Sequence, residues 1–214
     1  MIGVIDYGMG NLHSVSKALE RLNVPYFLSE DPDRLAEADG LILPGVGSFH
    51  DAMNLLQEKG QEDFIKKWAA DGRPLLGICL GMQLLFDGSE ENKHTEGLGF
   101  LPGYAKHFPG VTEDGTAYKV PHMGWNKLSF KQPQHDLLKG VVEGHVYFVH
   151  SYVIQTEDED VLIADSDYYE TVPAVVGRGR VLGTQFHPEK SSTIGMKILE
   201  NFGTIVAEGR NTYE

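Results

Sequence analysis

Cysteine is almost missing from this chain of 214 residues, which contains a single one, Cys79. One thiol closes no internal disulfide, so the fold has to rest on buried apolar surface, and a chain of this length can bury enough of it. Metal ligation is equally unprovided for. Neither a Cys-x-x-Cys nor a His-Glu-x-x-His spacing occurs, and His145 and His150 would face opposite sides of a regular strand. No metal and no cofactor are therefore expected. The longest uncharged apolar run, Pro74 to Phe86, falls well short of the roughly 20 residues that a helix needs to cross a bilayer. The opening residues MIGVID lack the basic start and apolar core of a signal peptide, so the expected location is the cytoplasm. Positive charge is also scarce: 18 Lys and Arg face 31 Asp and Glu, a formal net charge of −13. That balance repels phosphate backbones and anionic lipid, and neither nucleic acid nor a membrane is expected as a partner.

Glycine, by contrast, is plentiful at 25 residues, and two glycines frame the lone cysteine. The stretch Leu75 to Phe86 reads LLGICLGMQLLF, placing Cys79 in a G-x-C-x-G frame between Gly77 and Gly81. Leu75, Leu76 and Ile78 read as a buried strand, and Met82, Leu84, Leu85 and Phe86 as the start of a helix. A chain turning that sharply brings strand and helix backbones together, leaving no room for a β-carbon at either glycine. The residue at the apex is pushed outward at the beginning of a helix, where free N–H groups favour a thiolate. This is the pattern of a nucleophile elbow, with sulfur in place of oxygen.

Around the elbow the chain alternates strand and helix. Met1 to Asp6 reads as a strand, Tyr7 to Gly10 as a loop, and Asn11 as the N-cap of a helix carrying Leu12, Val15, Leu19 and Leu22. Gly8-x-Gly10 only half resembles a dinucleotide fingerprint, because His13 replaces the third glycine. Tyr26 to Leu28 and Gly40 to Leu43 read as further strands, the latter ending in Pro44-Gly45-Val46-Gly47. Helical cover at Leu55, Leu56, Phe64, Ile65 and Trp68 completes an α/β pattern, which predicts one domain built on a doubly wound, mostly parallel central sheet with flanking helices. After Gly88 come shorter pieces at Tyr104 to Phe108, Asn126 to Phe130, Val146 to Ile154, Val161 to Ala164 and Ala174 to Gly177, read as a smaller antiparallel or mixed extension packed against that sheet. A last strand, Val181 to Phe186, delivers His187-Pro188-Glu189, and Ser191 or Ser192 caps a closing helix.

A sulfur nucleophile needs a base to keep it ionised and an acid to protonate its leaving group, and one histidine can serve both ends. A carboxylate on the far ring nitrogen fixes the tautomer and steadies the imidazolium. Cys79, His187 and Glu189 supply these roles if the two strand ends open on the same sheet edge. The PGVG loop, at the end of another central strand, can aim a backbone N–H at a developing oxyanion.

GICLGMQ at Gly77 to Gln83, PGVG at Pro44 to Gly47 and FHPEKS at Phe186 to Ser191 resemble the triad class of glutamine amidotransferases. Within that class, DYGMGN at Asp6 to Asn11, PHMGWN at Pro121 to Asn126 and YFVHSY at Tyr147 to Tyr152 resemble the glutaminase subunits of imidazole glycerol phosphate synthases. The resemblance runs nearly end to end and implies one amidotransferase domain over residues 1–214. It implies glutamine hydrolysis through a Cys79 thioester, with the oxyanion held by the N–H of Leu80 and one from Val46–Gly47. Gly47, Gln83, Ser151 and Tyr152 are implied to bind glutamine. The implied partner is a (β/α)₈-barrel cyclase, forming a heterodimer and receiving the ammonia, with Asn11, Met123, Trp125, Tyr147 and Lys190 at the contact. Two alternatives share the thiol chemistry. One is the amidotransferase of another synthase, for anthranilate, aminodeoxychorismate, guanylate or pyridoxal phosphate; the other is a cysteine hydrolase of α/β type.

Overall fold

The computed structural model describes residues 1–92 and 94–210. The chain opens on β1 (Ile2–Ile5), α1 (Leu12–Arg21), β2 (Tyr26–Ser29), the single turn α2 (Pro32–Leu35) and β3 (Gly40–Gly45). Then follow α3 (Phe49–Glu58), α4 (Gln61–Ala70), β4 (Leu75–Cys79) and the one-turn α5 (Leu80–Gln83). Short strands succeed them: β5 (Phe86–Ser89), β6 (Thr95–Glu96), β7 (Leu101–His107), β8 (His122–Lys127), β9 (Ser129–Phe130), β10 (His145–His150) and β11 (Tyr152–Gln155). The chain closes on β12 (Leu162–Asp167), β13 (Thr171–Arg178), β14 (Val181–Thr184) and α6 (Ser192–Arg210).

The main sheet has eight strands in the order β2-β1-β3-β4-β14-β13-β12-β9, parallel from β2 to β14 and antiparallel beyond. Period-2 alternation builds a core on each face. Ile42, Leu76 and Ile78 point to one side, with Val15 and Leu19 of α1 and Phe202 and Val206 of α6. Leu41, Leu43 and Leu75 point to the other, with Phe49 and Leu56 of α3 and Ile65 and Trp68 of α4. Asn11 caps α1 as expected, accepting from Ser14 N at 3.2 Å; Ser48, which the sequence did not single out, caps α3 by accepting from Asp51 N at 3.3 Å.

The extension is organised differently from the expectation. Strands β13, β12 and β9 lengthen the main sheet, and only the remaining pieces form separate small sheets, β10-β8 and β11-β7-β5-β6. The stretch Val146 to Ile154 is not one strand. It breaks at Ser151, giving β10 to one small sheet and β11 to the other. The run after Gly81 is not a sustained helix either: α5 ends at Gln83, and Phe86 already begins β5.

The site is positioned by three adjacent parallel strands. Gly45 of β3 is in register with Cys79, the last residue of β4, and Thr184 of β14 with Ile78. The PGVG loop, the cysteine and the His-Pro-Glu segment therefore leave the sheet at one carboxyl edge, where open α/β sheets hold their ligands.

Candidate active site

Cys79 has φ 56° and ψ −112°, a left-handed conformation that costs a residue with a β-carbon about 1–3 kcal/mol. The packing beneath it enforces the bend. A β-carbon on Gly81 would lie 1.8 Å from the carbonyl oxygen of Leu43, and one on Gly77 would lie 2.5 Å from that of Gly81. Because α5 is a single turn, its dipole is weaker than that of the longer helix expected, and the thiol depends more on its side-chain neighbours. Sγ lies 3.8 Å from the Val149 carbonyl and 3.9 Å from Nε2 of Gln185.

His187 follows β14 in an extended conformation, as the residue before Pro188 should. Its N–H donates to the carbonyl of Tyr147 at 3.1 Å. Its Nδ1–H donates to Oε1 of Glu189 at 2.8 Å, with the two side chains only 3% and 1% exposed. Ser191 does not cap α6 with its hydroxyl. The hydroxyl donates to the His187 carbonyl at 2.6 Å and accepts from Tyr147 N at 2.9 Å, locking this corner to β10.

With Nδ1 engaged, Nε2 of His187 is buried without a hydrogen-bond partner and is the nitrogen left for the thiol. Burial opposes charge on this ring, but the Cys79 sulfur and the Glu189 carboxylate outweigh it and push the pKa up to about 9. The His187 ring therefore stays protonated across the neutral range, facing the Cys79 sulfur. Glu189→Gln removes one of the charges holding the proton, so the alkaline limb of the kcat/KM profile should move to lower pH. An unshifted limb would contradict that role for Glu189.

A cleft of ≈ 390 Å³ opens over the thiol, lined by Val46, Gly47, Leu80, Gln83, Ser151 and Tyr152, and also by Glu91. Gln83 is not on an exposed helix face. It is 5% exposed, and its amide donates to the Tyr152 carbonyl at 3.1 Å and to Oε1 of Gln185 at 3.0 Å. Two site residues escaped the sequence reading. Glu91, whose Oε2 accepts from Phe49 N at 2.7 Å, lies in a polar stretch with no periodicity to mark it. Gln185, fully buried two residues before His187, had only that nearness as a signal. A carboxylate in this cleft suits the α-ammonium group of an amino acid, so Glu91→Gln should raise KM for glutamine about tenfold or more with kcat less affected. An unchanged KM would exclude that contact.

Strands β8 and β10 form a two-stranded ribbon beside the cleft. Trp125 pairs with Tyr147 and Met123 with Val149. Met123 and Trp125 are 61% and 54% exposed, and the Trp125 and Tyr147 rings lie 6.1 Å apart. Lys190 is exposed on the turn after Glu189, and Asn11 commits its Oδ1 to capping α1. On the ribbon's inner side lie His122 and His150, whose pKa values burial pushes down to about 4 and about 3. Both folded values lie below the unfolded value near 6.5, so the stability these neutral rings contribute is complete above that pH and is lost as pH falls. Unfolding between about pH 6.5 and 5 should therefore take up protons at these rings, and Tm should fall across that window. A flat Tm with no proton uptake would contradict the neutral pair.

The chain that carries this cleft has close relatives among known proteins. The family model described as glutamine amidotransferase class-I matches residues 3–206, and the chain belongs to that family of glutamine-hydrolysing enzymes. A solved structure titled as a glutamine amidotransferase superposes with a TM-score of 0.75 at 23% identity, covering 96% of this chain and 98% of that one, and shows the shared fold. More specifically, the chain is 68% identical over 209 residues to imidazole glycerol phosphate synthase subunit HisH of Halalkalibacterium halodurans, covering 98% of both chains. It is 65% identical to the HisH subunit of Geobacillus kaustophilus, covering 98% of this chain and 99% of that one.

Proposed function

We propose that residues 1–214 form one amidotransferase domain that acts as the glutaminase subunit of an imidazole glycerol phosphate synthase in histidine biosynthesis. The observation that carries the chemistry is His187, with Nδ1 on Glu189 and Nε2 buried and unpartnered beside Cys79. Gly47, Gln83, Ser151 and Tyr152 hold glutamine in the cleft, and Glu91 meets its α-ammonium. The Cys79 thiolate attacks the side-chain amide carbon, and the oxyanion is held by the N–H of Leu80 and one from Val46–Gly47. The imidazolium of His187 protonates the departing nitrogen, and ammonia leaves a γ-glutamyl thioester. His187, now neutral, takes a proton from water as the oxygen attacks the thioester. Glutamate departs and the thiolate returns.

Identity to HisH subunits over nearly the full chain supports a cyclase as the receiver of the ammonia. The finer reading is a heterodimer with a (β/α)₈-barrel in the cytoplasm. There the ammonia reacts with a phosphoribulosyl-formimino intermediate to give imidazole glycerol phosphate and an aminoimidazole carboxamide ribotide. Met123 and Trp125, large apolar side chains exposed on the edge that carries the site, suit anchors for that contact, with Asn11, Tyr147 and Lys190 around them. Glutamine turnover by the purified chain should be poor alone and rise strongly on addition of the cyclase with its substrate. Full activity in isolation, or no response to the cyclase, would overturn the assignment.

A further inference from the structure

The buried pair His122 and His150 has no place in the thioester chemistry, yet its hydrogen bonds end on the cleft wall. His150 Nδ1 lies 2.7 Å from the carbonyl of Tyr152. A carbonyl only accepts, so Nδ1 carries the proton and Nε2 of the neutral ring is bare. Nε2 lies 2.9 Å from Nδ1 of His122, so that nitrogen must carry a proton in turn. The bare Nε2 of His122 then faces the amide nitrogen of Asn126 at 3.4 Å, and that amide also donates to the Asp167 carbonyl at 2.6 Å. Every proton has one direction to point. Reversing either ring would set two donors or two acceptors face to face at the buried contact between the two histidines.

Packing fixes the rings as firmly as the protons do. His122 is stacked between Tyr168, at 4.0 Å and 15°, and Phe148, at 4.6 Å and 21°. His150 stands directly across from it in the ribbon register and packs on Phe108 at 5.2 Å. The far end of the relay is the Tyr152 carbonyl, which also accepts from Gln83. On the other side of His150, the Val149 carbonyl lies against Sγ of Cys79. The same β8 strand that supplies His122 carries Met123 and Trp125 on its exposed side.

We infer that His150 and His122 are positioning residues for the glutaminase site. Their directional relay clamps the Val149–Tyr152 wall against Cys79 and ties it to the ribbon that exposes Met123 and Trp125. The inference rests on the glutaminase reading above and adds to it the groups that set the cleft's width.

The test compares two amide variants that place their donor differently, in the subunit assembled with its cyclase. In His150→Asn the side-chain amide nitrogen overlays Nδ1 and still donates to the Tyr152 carbonyl. In His150→Gln the amide reaches the Nε2 position, and the donor to Tyr152 is lost. His150→Gln should raise KM for glutamine about tenfold, the loss of one buried hydrogen bond, with kcat changing far less. His150→Asn should return KM to within about threefold of the original. Equal impairment of both variants would mean that the ring only fills space, and no impairment in either would also overturn the inference. Independently of turnover, the ring-nitrogen NMR spectrum of the chain should show Nδ1–H tautomers for both histidines and a scalar coupling across the N–H···N bond that His122→Phe abolishes. Nε2–H tautomers, or no coupling, would overturn the relay itself. An original complex inactive on glutamine would defeat the glutaminase reading instead, and the spectrum would still decide the relay.

Discussion

Replacing Cys79 with alanine should lower glutamine turnover by about 10⁴-fold or more while leaving the thermal transition within a few degrees of the original. The large kinetic effect follows from the proposed mechanism, in which the reaction divides at a covalent intermediate on this sulfur. Without the thiol, His187 and Glu189 remain in place but have no nucleophile to ionise. The small stability effect follows from the site's construction. Alanine keeps the β-carbon, so the left-handed strain at φ 56° is unchanged, and what is lost is the sulfur's weak contacts to Val149 and Gln185 and its interaction with the His187 ring. Activity within tenfold of the original would remove Cys79 from the mechanism. A collapse in stability would instead assign the cysteine to the core.

The second large effect separates the elbow's architecture from its chemistry. Gly81→Ala places a methyl 1.8 Å from the carbonyl oxygen of Leu43, a backbone atom of the adjacent central strand that no side-chain rotation can move aside. The expected cost is about 3 kcal/mol or more, a large part of a typical domain's total stability of about 5–15 kcal/mol. Gly60→Ala is the control for introducing a methyl as such. Its site is open, with nothing within 4 Å of the added carbon, and only the left-handed φ of 67° is penalised. Chemical denaturation of both variants checks the difference. A Gly81→Ala protein as stable as Gly60→Ala would mean that β3 and the elbow do not approach as closely as described.

The elbow was legible because its cause is local. Two glycines around one cysteine, between an apolar run and a second apolar run, leave few alternatives for the backbone. His187 and Glu189 were legible for a related reason: proline fixes the conformation of the residue before it, and both strands feed one parallel sheet. What periodicity could not foresee was how the second half of the chain is shared out. Val146 to Ile154 is uniformly strand-like, and nothing in its pattern shows that Ser151 hands it from one small sheet to another. The helix expected after Gly81 failed because Leu84, Leu85 and Phe86 are apolar in any conformation, and tertiary contacts chose a strand for Phe86. Glu91, Gln185 and the His122–His150 relay depend on contacts between residues far apart in sequence, such as the 2.9 Å link joining β8 to β10. Chains of that kind become visible only once the strands are paired.

Acid quenching of the assembled synthase during glutamine turnover, followed by mass analysis of its peptides, tests the central claim most directly. A glutamyl group covalently bound to the peptide containing Cys79, absent from Cys79→Ala, is the predicted result. Turnover at full rate with that peptide unmodified at every quench time, and no accumulation when His187 is replaced, would contradict a thioester at this sulfur.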